Sequence, residues 1–192
     1  MLDLSKKLKD ELVIEDRVYA LDLSFNKILL LFEMLQDEDI PDFVKPHFAL
    51  RMLTGVKFDE LSVEEAVLVF QAVFEEHIQV RDSRRQAEMY DLAGNVLPSQ
   101  LIEEEEKPLF NIKQDTDYIY ASFLQAYGID LIDVQGKLHW KKFNALLSGL
   151  PKDTKFAEVM KIRSWRPQEG ESKEYQSRMR ALQEEYALKE SE

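Results

Sequence analysis

The sequence predicts a mainly α-helical fold: a small helical bundle with an N-terminal β-hairpin and a flexible acidic insertion. Three observations carry this. Apolar residues recur at helical spacing in most of the chain after Phe25. Strand-like patterning is confined to one short stretch near the N-terminus. Residues 81–107 hold RDSRRQ, Gly94-Asn95, Pro98 and the run Glu103-Glu104-Glu105-Glu106, without sustained periodicity.

In order along the chain, residues 11–23 read as the hairpin. Leu12, Ile14, Val18 and Tyr19 are strand formers, and Glu15-Asp16-Arg17 supplies the turn. A two-stranded hairpin is marginal alone and is expected to pack on helices. Ser24 is the expected N-cap of a helix through about Gln36, whose sequence FNKILLLFEML is apolar around most of its circumference. Pro46 opens a short helix over residues 47–54, with Gly55 as its C-terminal cap. Ser62-Val63-Glu64-Glu65 is a capping box for the apolar helix AVLVFQAVFEEHI, expected to reach about Val80 or to continue to Met89.

After the insertion, Asp115 or Thr116 caps a helix striped by Tyr120, Phe123, Leu124 and Tyr127 and ended by Gly128. A turn at 130–134 leads to a helix over 137–148. Its stripe is Trp140, Phe143, Leu147 and Leu150, with Lys141, Lys142 and Asn144 facing out. Asp153 or Thr154 caps another helix to about Arg163, and residues 167–170 form a hinge. The last helix, 172–189, places Tyr175, Met179, Leu182 and Tyr186 at spacings of 4, 3 and 4. That is one apolar seam on an otherwise charged helix, able to dock on the body or on another chain. The expected organisation is 1–80, hairpin plus helices; 81–109, flexible acidic linker or insertion; and 110–192, the C-terminal helical part, packing with 1–80 as one domain.

Composition narrows the function classes. The 192 residues carry 25 Lys+Arg against 37 Asp+Glu, a formal charge of −12, which disfavours nucleic acid and anionic membrane as partners. No segment approaches the ~20 apolar residues that span a bilayer, and the N-terminus has no apolar run typical of a secretory signal. There is no cysteine, so disulfides, thiolate metal sites and cysteine nucleophiles are excluded.

The three histidines, His47, His77 and His139, lack carboxylate or histidine partners at helical chelating spacing, so no metal site is expected. The scattered glycines form no phosphate-cradling loop, and no GxSxG elbow occurs, so no cofactor and no catalytic residue is assigned. His139-Trp140 is the most distinctive dipeptide. It reads as a core tryptophan beside a hydrogen-bonded histidine rather than a stacking platform, because Trp140 lies in its helix's own apolar stripe.

Asp115-Thr-Asp-Tyr-Ile-Tyr120, Phe123, Tyr127-Gly-Ile-Asp-Leu131, Leu138-His-Trp140, Phe143 and Leu150-Pro-Lys-Asp-Thr154 together resemble the bacteriophage gene-product-fifteen proteins of siphophages and prophages of Gram-positive bacteria. The ending Tyr186-Ala-Leu188 is similar too. The resemblance implies a tail assembly chaperone: a carrier of the long helical tape-measure protein that helps recruit tail tube subunits and leaves before the virion matures. Its expected partners are therefore the tape-measure and tail tube proteins, with self-association a further expectation, and its place is the cytoplasm of the bacterial host. It is not expected to be an enzyme. On this reading the seam Tyr175, Met179, Leu182 and Tyr186 is the first candidate for partner binding. If either apolar helix, 25–35 or 66–78, exposes a face, that face takes its place. Two alternatives stand beside the chaperone. One is a structural tail component kept in the virion; the other, of a different class, is an acidic inhibitor that mimics DNA.

Overall fold

The computed structural model describes residues 4–79 and 109–189. Among them are seven α-helices, one π-helical turn and a two-stranded hairpin. The fold is mainly α, as the periodicity predicts. The insertion expected at 81–109 lies, but for Leu109, outside the described residues. The chain forms two compact units, one of residues 1–80 with 130–149 and one of 81–129 with 150–192. Residues 130–149 thus cluster with the N-terminal elements, although they lie in the C-terminal half of the sequence.

In the first unit, β1 (Glu11–Ile14) pairs antiparallel with β2 (Arg17–Ala20), Leu12 opposite Tyr19 and Val13 opposite Val18. The two-residue turn places Glu15 at φ 44, a left-handed position without the usual glycine or asparagine. Opposed residues share a face. Leu12, Ile14 and Tyr19 face inward on a cluster of Leu50, Phe58 and Ala66, and Val13 and Val18 face solvent. That packing supplies the stability a lone hairpin lacks.

Four helical segments complete the unit: α1 (Phe25–Gln36), α2 (Lys45–Thr54), α3 (Val63–Val73) running into a π turn (Phe74–Ile78), and the later helix over Trp140–Ser148. Helix α2 starts two residues earlier than expected, with Pro46 in its first turn, and ends at Gly55 with φ 74. The capping box of α3 is present in both directions: Glu65 N–H donates to Ser62 Oγ at 3.2 Å, and Ser62 N–H to Glu65 Oε2 at 2.8 Å. The helical run stops at Ile78, short of Val80, because Gln79 turns extended with φ −59 and ψ 120.

Ser24 stands at the N-cap position of α1, but its hydroxyl does not cap. It donates to Asp22 Oδ1 at 2.7 Å, which also accepts the Ser24 N–H. Ser24 instead bridges His139 in a one-residue antiparallel ladder: Phe25 N–H donates to Leu138 O at 2.9 Å, and Trp140 N–H to Leu23 O at 2.7 Å. This ladder joins segments more than a hundred residues apart and starts the Trp140–Ser148 helix beside the start of α1.

In the second unit, α4 (Thr116–Tyr127) precedes the Trp140–Ser148 helix, α5, in the chain; α6 (Lys155–Ser164) and α7 (Lys173–Glu185) follow. Helix α4 buries Ile119, Ser122 and Phe123 and ends at Gly128 with φ 63. Leu124, expected in its apolar stripe, is exposed. Buried Ser122 serves the structure: its Oγ accepts the Phe156 N–H, an otherwise unpaired donor of the first turn of α6, at 3.0 Å. Ser172 caps α7, accepting from Tyr175 N–H at 3.2 Å, and the helix ends at Glu185, short of the expected 189.

Candidate partner-binding surface

The polar side chains with the most connections in the second unit build its frame. Asp115 is 1% exposed and takes the Arg163 guanidinium as a fork, with Nη1 donating to Oδ2 at 2.7 Å and Nη2 to Oδ1 at 2.8 Å. Arg163 also donates from Nε to Tyr186 O at 2.6 Å and from Nη1 to Leu109 O at 3.0 Å. One guanidinium therefore ties the start of α4, the end of α6, residue 109 and the chain after α7. Asp115 is not the side-chain cap that the sequence suggests: its carboxylate makes no cap bond to α4 and accepts instead from Asn111 N–H at 3.0 Å. Thr154 likewise turns its hydroxyl back to Pro151 O at 2.7 Å rather than capping α6.

The four seam residues of α7 sit in this frame. Met179 is buried and Leu182 and Tyr186 are half-buried. Tyr186 stacks edge-on with Tyr118 and accepts from Lys155 Nζ at 2.9 Å through its hydroxyl; that bond raises the lysine's pKa. Gln183, beside the seam, donates from Nε2 to the carbonyls of Ile162, Arg163 and Trp165, closing the C-terminal end of α6. Tyr175 alone of the four is exposed, edge-on to Trp165. The seam is thus engaged within its own unit.

In the first unit, His139 caps α5: Nδ1 accepts the Lys141 N–H at 2.9 Å. An accepting Nδ1 leaves the proton on Nε2, which faces Asp10 Oδ1 at 3.2 Å. Trp140 is 3% exposed, and its Nε1 donates to Ile78 O at 2.8 Å. It stacks on Phe143 and meets Phe32 edge-on. These are the core tryptophan and hydrogen-bonded histidine expected of the dipeptide. Helix α5 begins at Trp140 rather than 137, because His139 takes the cap. Lys141 and Asn144 do not face freely outward. Lys141 Nζ donates to Glu76 O at 3.1 Å and Asn144 Nδ2 to Trp140 O at 2.9 Å.

His77 is buried beside this cluster, and its Nδ1 has no hydrogen-bond partner. Burial holds its pKa below the ordinary histidine value of 6.5; Glu76, 3.8 Å away, opposes that shift, Lys141 adds to it, and Asp10 and His139 contribute in opposite senses. The folded state keeps His77 neutral where the unfolded chain takes up a proton. Stability is therefore full above about pH 6.5 and falls as the pH drops below it. Denaturant midpoints between pH 7.5 and 5.5 should decline more for the wild type than for His77→Gln.

Exposed apolar side chains occur singly at several places, Phe43, Phe48 and Ile132 among them, and three more share α3. Its inner side buries Ala66 and Val73 and packs Val69 and Phe70 against the hairpin-facing cluster. Its outer side exposes Val63 (37%), Val67 (42%) and Leu68 (66%). Helix α1, by contrast, buries Phe25, Ile28 and Leu31 and exposes Leu30. Aliphatic richness reveals that α3 is apolar; nothing local reveals that one side stays uncovered. Among the described residues, no group of three histidine, aspartate or glutamate side chains can hold a metal ion, and no helix is long and apolar enough to cross a membrane.

The family model described as Bacteriophage Gp15 protein matches residues 8–188, nearly the whole chain. The chain belongs to this family. The match covers both units, including Asp115, Arg163 and the α3 face. Gp15 membership makes the chain a phage-related structural or assembly protein. No curated protein and no solved structure matches it.

Proposed function

We propose that this Gp15 protein is a tail assembly chaperone, a non-enzymatic carrier in the host cytoplasm that binds the tape-measure protein and helps recruit tail tube subunits. The observation that carries the reading is the family match across residues 8–188, joined to what the family resemblance implies about tail morphogenesis. The exposed side chains of α3 support it. A carrier of an elongated helical client needs apolar surface on a soluble body, and here Val63, Val67 and Leu68 are exposed on a chain of charge −12. Acidic surface keeps such a carrier soluble and permits reversible capture. The α7 seam is a weaker place for a client, since three of its four residues are at least half-buried in their own unit.

A chaperone leaves before maturation; a structural tail component stays. Mass spectrometry of purified particles should find the tape-measure and tube proteins without this chain, while lysates of infected cells contain it. Stoichiometric recovery from washed virions would overturn the chaperone reading in favour of a retained tail component.

A further inference from the structure

We propose that the outer face of α3 docks a basic amphipathic helix, its apolar side chains on Val63, Val67 and Leu68 and its cations beside Glu64 and Glu75. At 3.6 residues per turn, Val63 and Val67 form one short row, which Gln71 continues, and Glu64 and Leu68 form the next; Glu75, in the π turn, is joined to this face by its hydrogen bond from Gln71. The three aliphatic side chains keep 37%, 42% and 66% of their surface in water, although the opposite side of the same helix is core. A helix laid along this face would remove that surface from water, the usual mode of helix-in-groove recognition.

The charges choose the occupant. From Val63 to Ile78 the chain holds Glu64, Glu65, Glu75 and Glu76 and no lysine or arginine. Glu65 is committed to the capping box, and Glu75 accepts from Gln71 Nε2 at 2.9 Å, which holds its carboxylate on the outer side. A second copy placed face to face would set carboxylate against carboxylate, an arrangement that like-charge repulsion penalises. An anionic lipid surface or nucleic acid meets the same repulsion. Lys141 reaches the Glu76 carbonyl at the far end, but α3 and the π turn themselves carry only acids, and an apolar surface of that kind fits an apolar stripe flanked by lysine or arginine. The identity of the natural client, a segment of the tape-measure protein, rests on the tail-assembly reading; the chemistry of the surface does not.

The test uses the full chain and a labelled helical peptide of about 20 residues, leucines at i, i+3, i+4 and i+7 with lysines on the flanks, and a twin carrying glutamates instead. Fluorescence anisotropy should show the lysine peptide binding, with affinity falling as salt rises, and the glutamate twin not binding. Val67→Ser with Leu68→Ser should weaken binding by about tenfold or more. Glu64→Gln with Glu75→Gln should weaken it several-fold and flatten the salt dependence. Leu30→Ser, an exposed change on α1, should leave it unchanged, and circular dichroism checks the fold of each variant. The proposal is overturned if the wild type ignores the lysine peptide, if both peptides bind equally, if V67S/L68S binds like wild type, or if sizing shows the face occupied by a second copy. A tape-measure complex that survives V67S/L68S removes this face and leaves the tail-assembly reading standing. Peptide binding without any tape-measure complex does the reverse.

Discussion

Asp115→Ala should cost about 3–5 kcal/mol and unfold the second unit at physiological temperature or close to it. The substitution leaves Arg163 with its charge still buried and its fork unmatched, while Asn111 N–H loses its acceptor. Uncompensated buried charge is the costly outcome, more so than loss of the attraction itself. Arg163→Ala should do comparable damage by a second route, since it also releases Tyr186 O and Leu109 O. The diagnostic is non-additivity. Asp115→Leu combined with Arg163→Met removes both charges, and it should be less damaging than either single alanine variant. Thermal melts followed by far-UV circular dichroism give the comparison, with roughly 4–8 °C of midpoint expected per kcal/mol for a unit of this size. Fully additive losses would show that the pair is not coupled as its geometry indicates.

Trp140→Ala should cost about 3–5 kcal/mol in the first unit. The indole is buried between Phe143 and Phe32, and Phe143 stacks in turn on Phe25, so the cavity opens in the middle of an aromatic chain joining α1 and α5. The variant also strips Ile78 O of the donor that closes the π turn. Trp140→Phe separates the two effects: it keeps most of the stacking and orphans only the carbonyl, for about 1–3 kcal/mol. Loss of Trp140 should further loosen the end of the π turn, read as faster amide exchange at His77, Ile78 and Gln79 than at α2. Equal exchange across these segments would contradict that role.

Local signals in the sequence locate most of the helices. The Ser62 capping box, the left-handed glycines at 55 and 128 and the Ser172 cap act within three or four residues, so they are legible without a fold. The hairpin is legible from the strand formers around Glu15. Interactions between distant segments are not. Asp115 and Arg163 are 48 positions apart, and each has a plausible local role, the aspartate as a cap and the arginine at a helix end, that hides the pair. Ser24 misleads for the same reason: its cap position is local, while the ladder to His139 that sets its conformation is not. Apolar seams pose a different problem. Periodicity marks a face on α7 and abundant aliphatics mark α3, but which face a neighbour covers depends on tertiary packing. The structure turns Met179 inward and leaves Leu68 in water.

Co-expression with the tape-measure protein of the same phage tests the chaperone reading most directly. A tape measure that is insoluble when expressed alone should become soluble and co-elute with this chain on sizing, while an unrelated long helical protein does neither. A tape measure that stays insoluble beside abundant, folded chain would contradict the chaperone role.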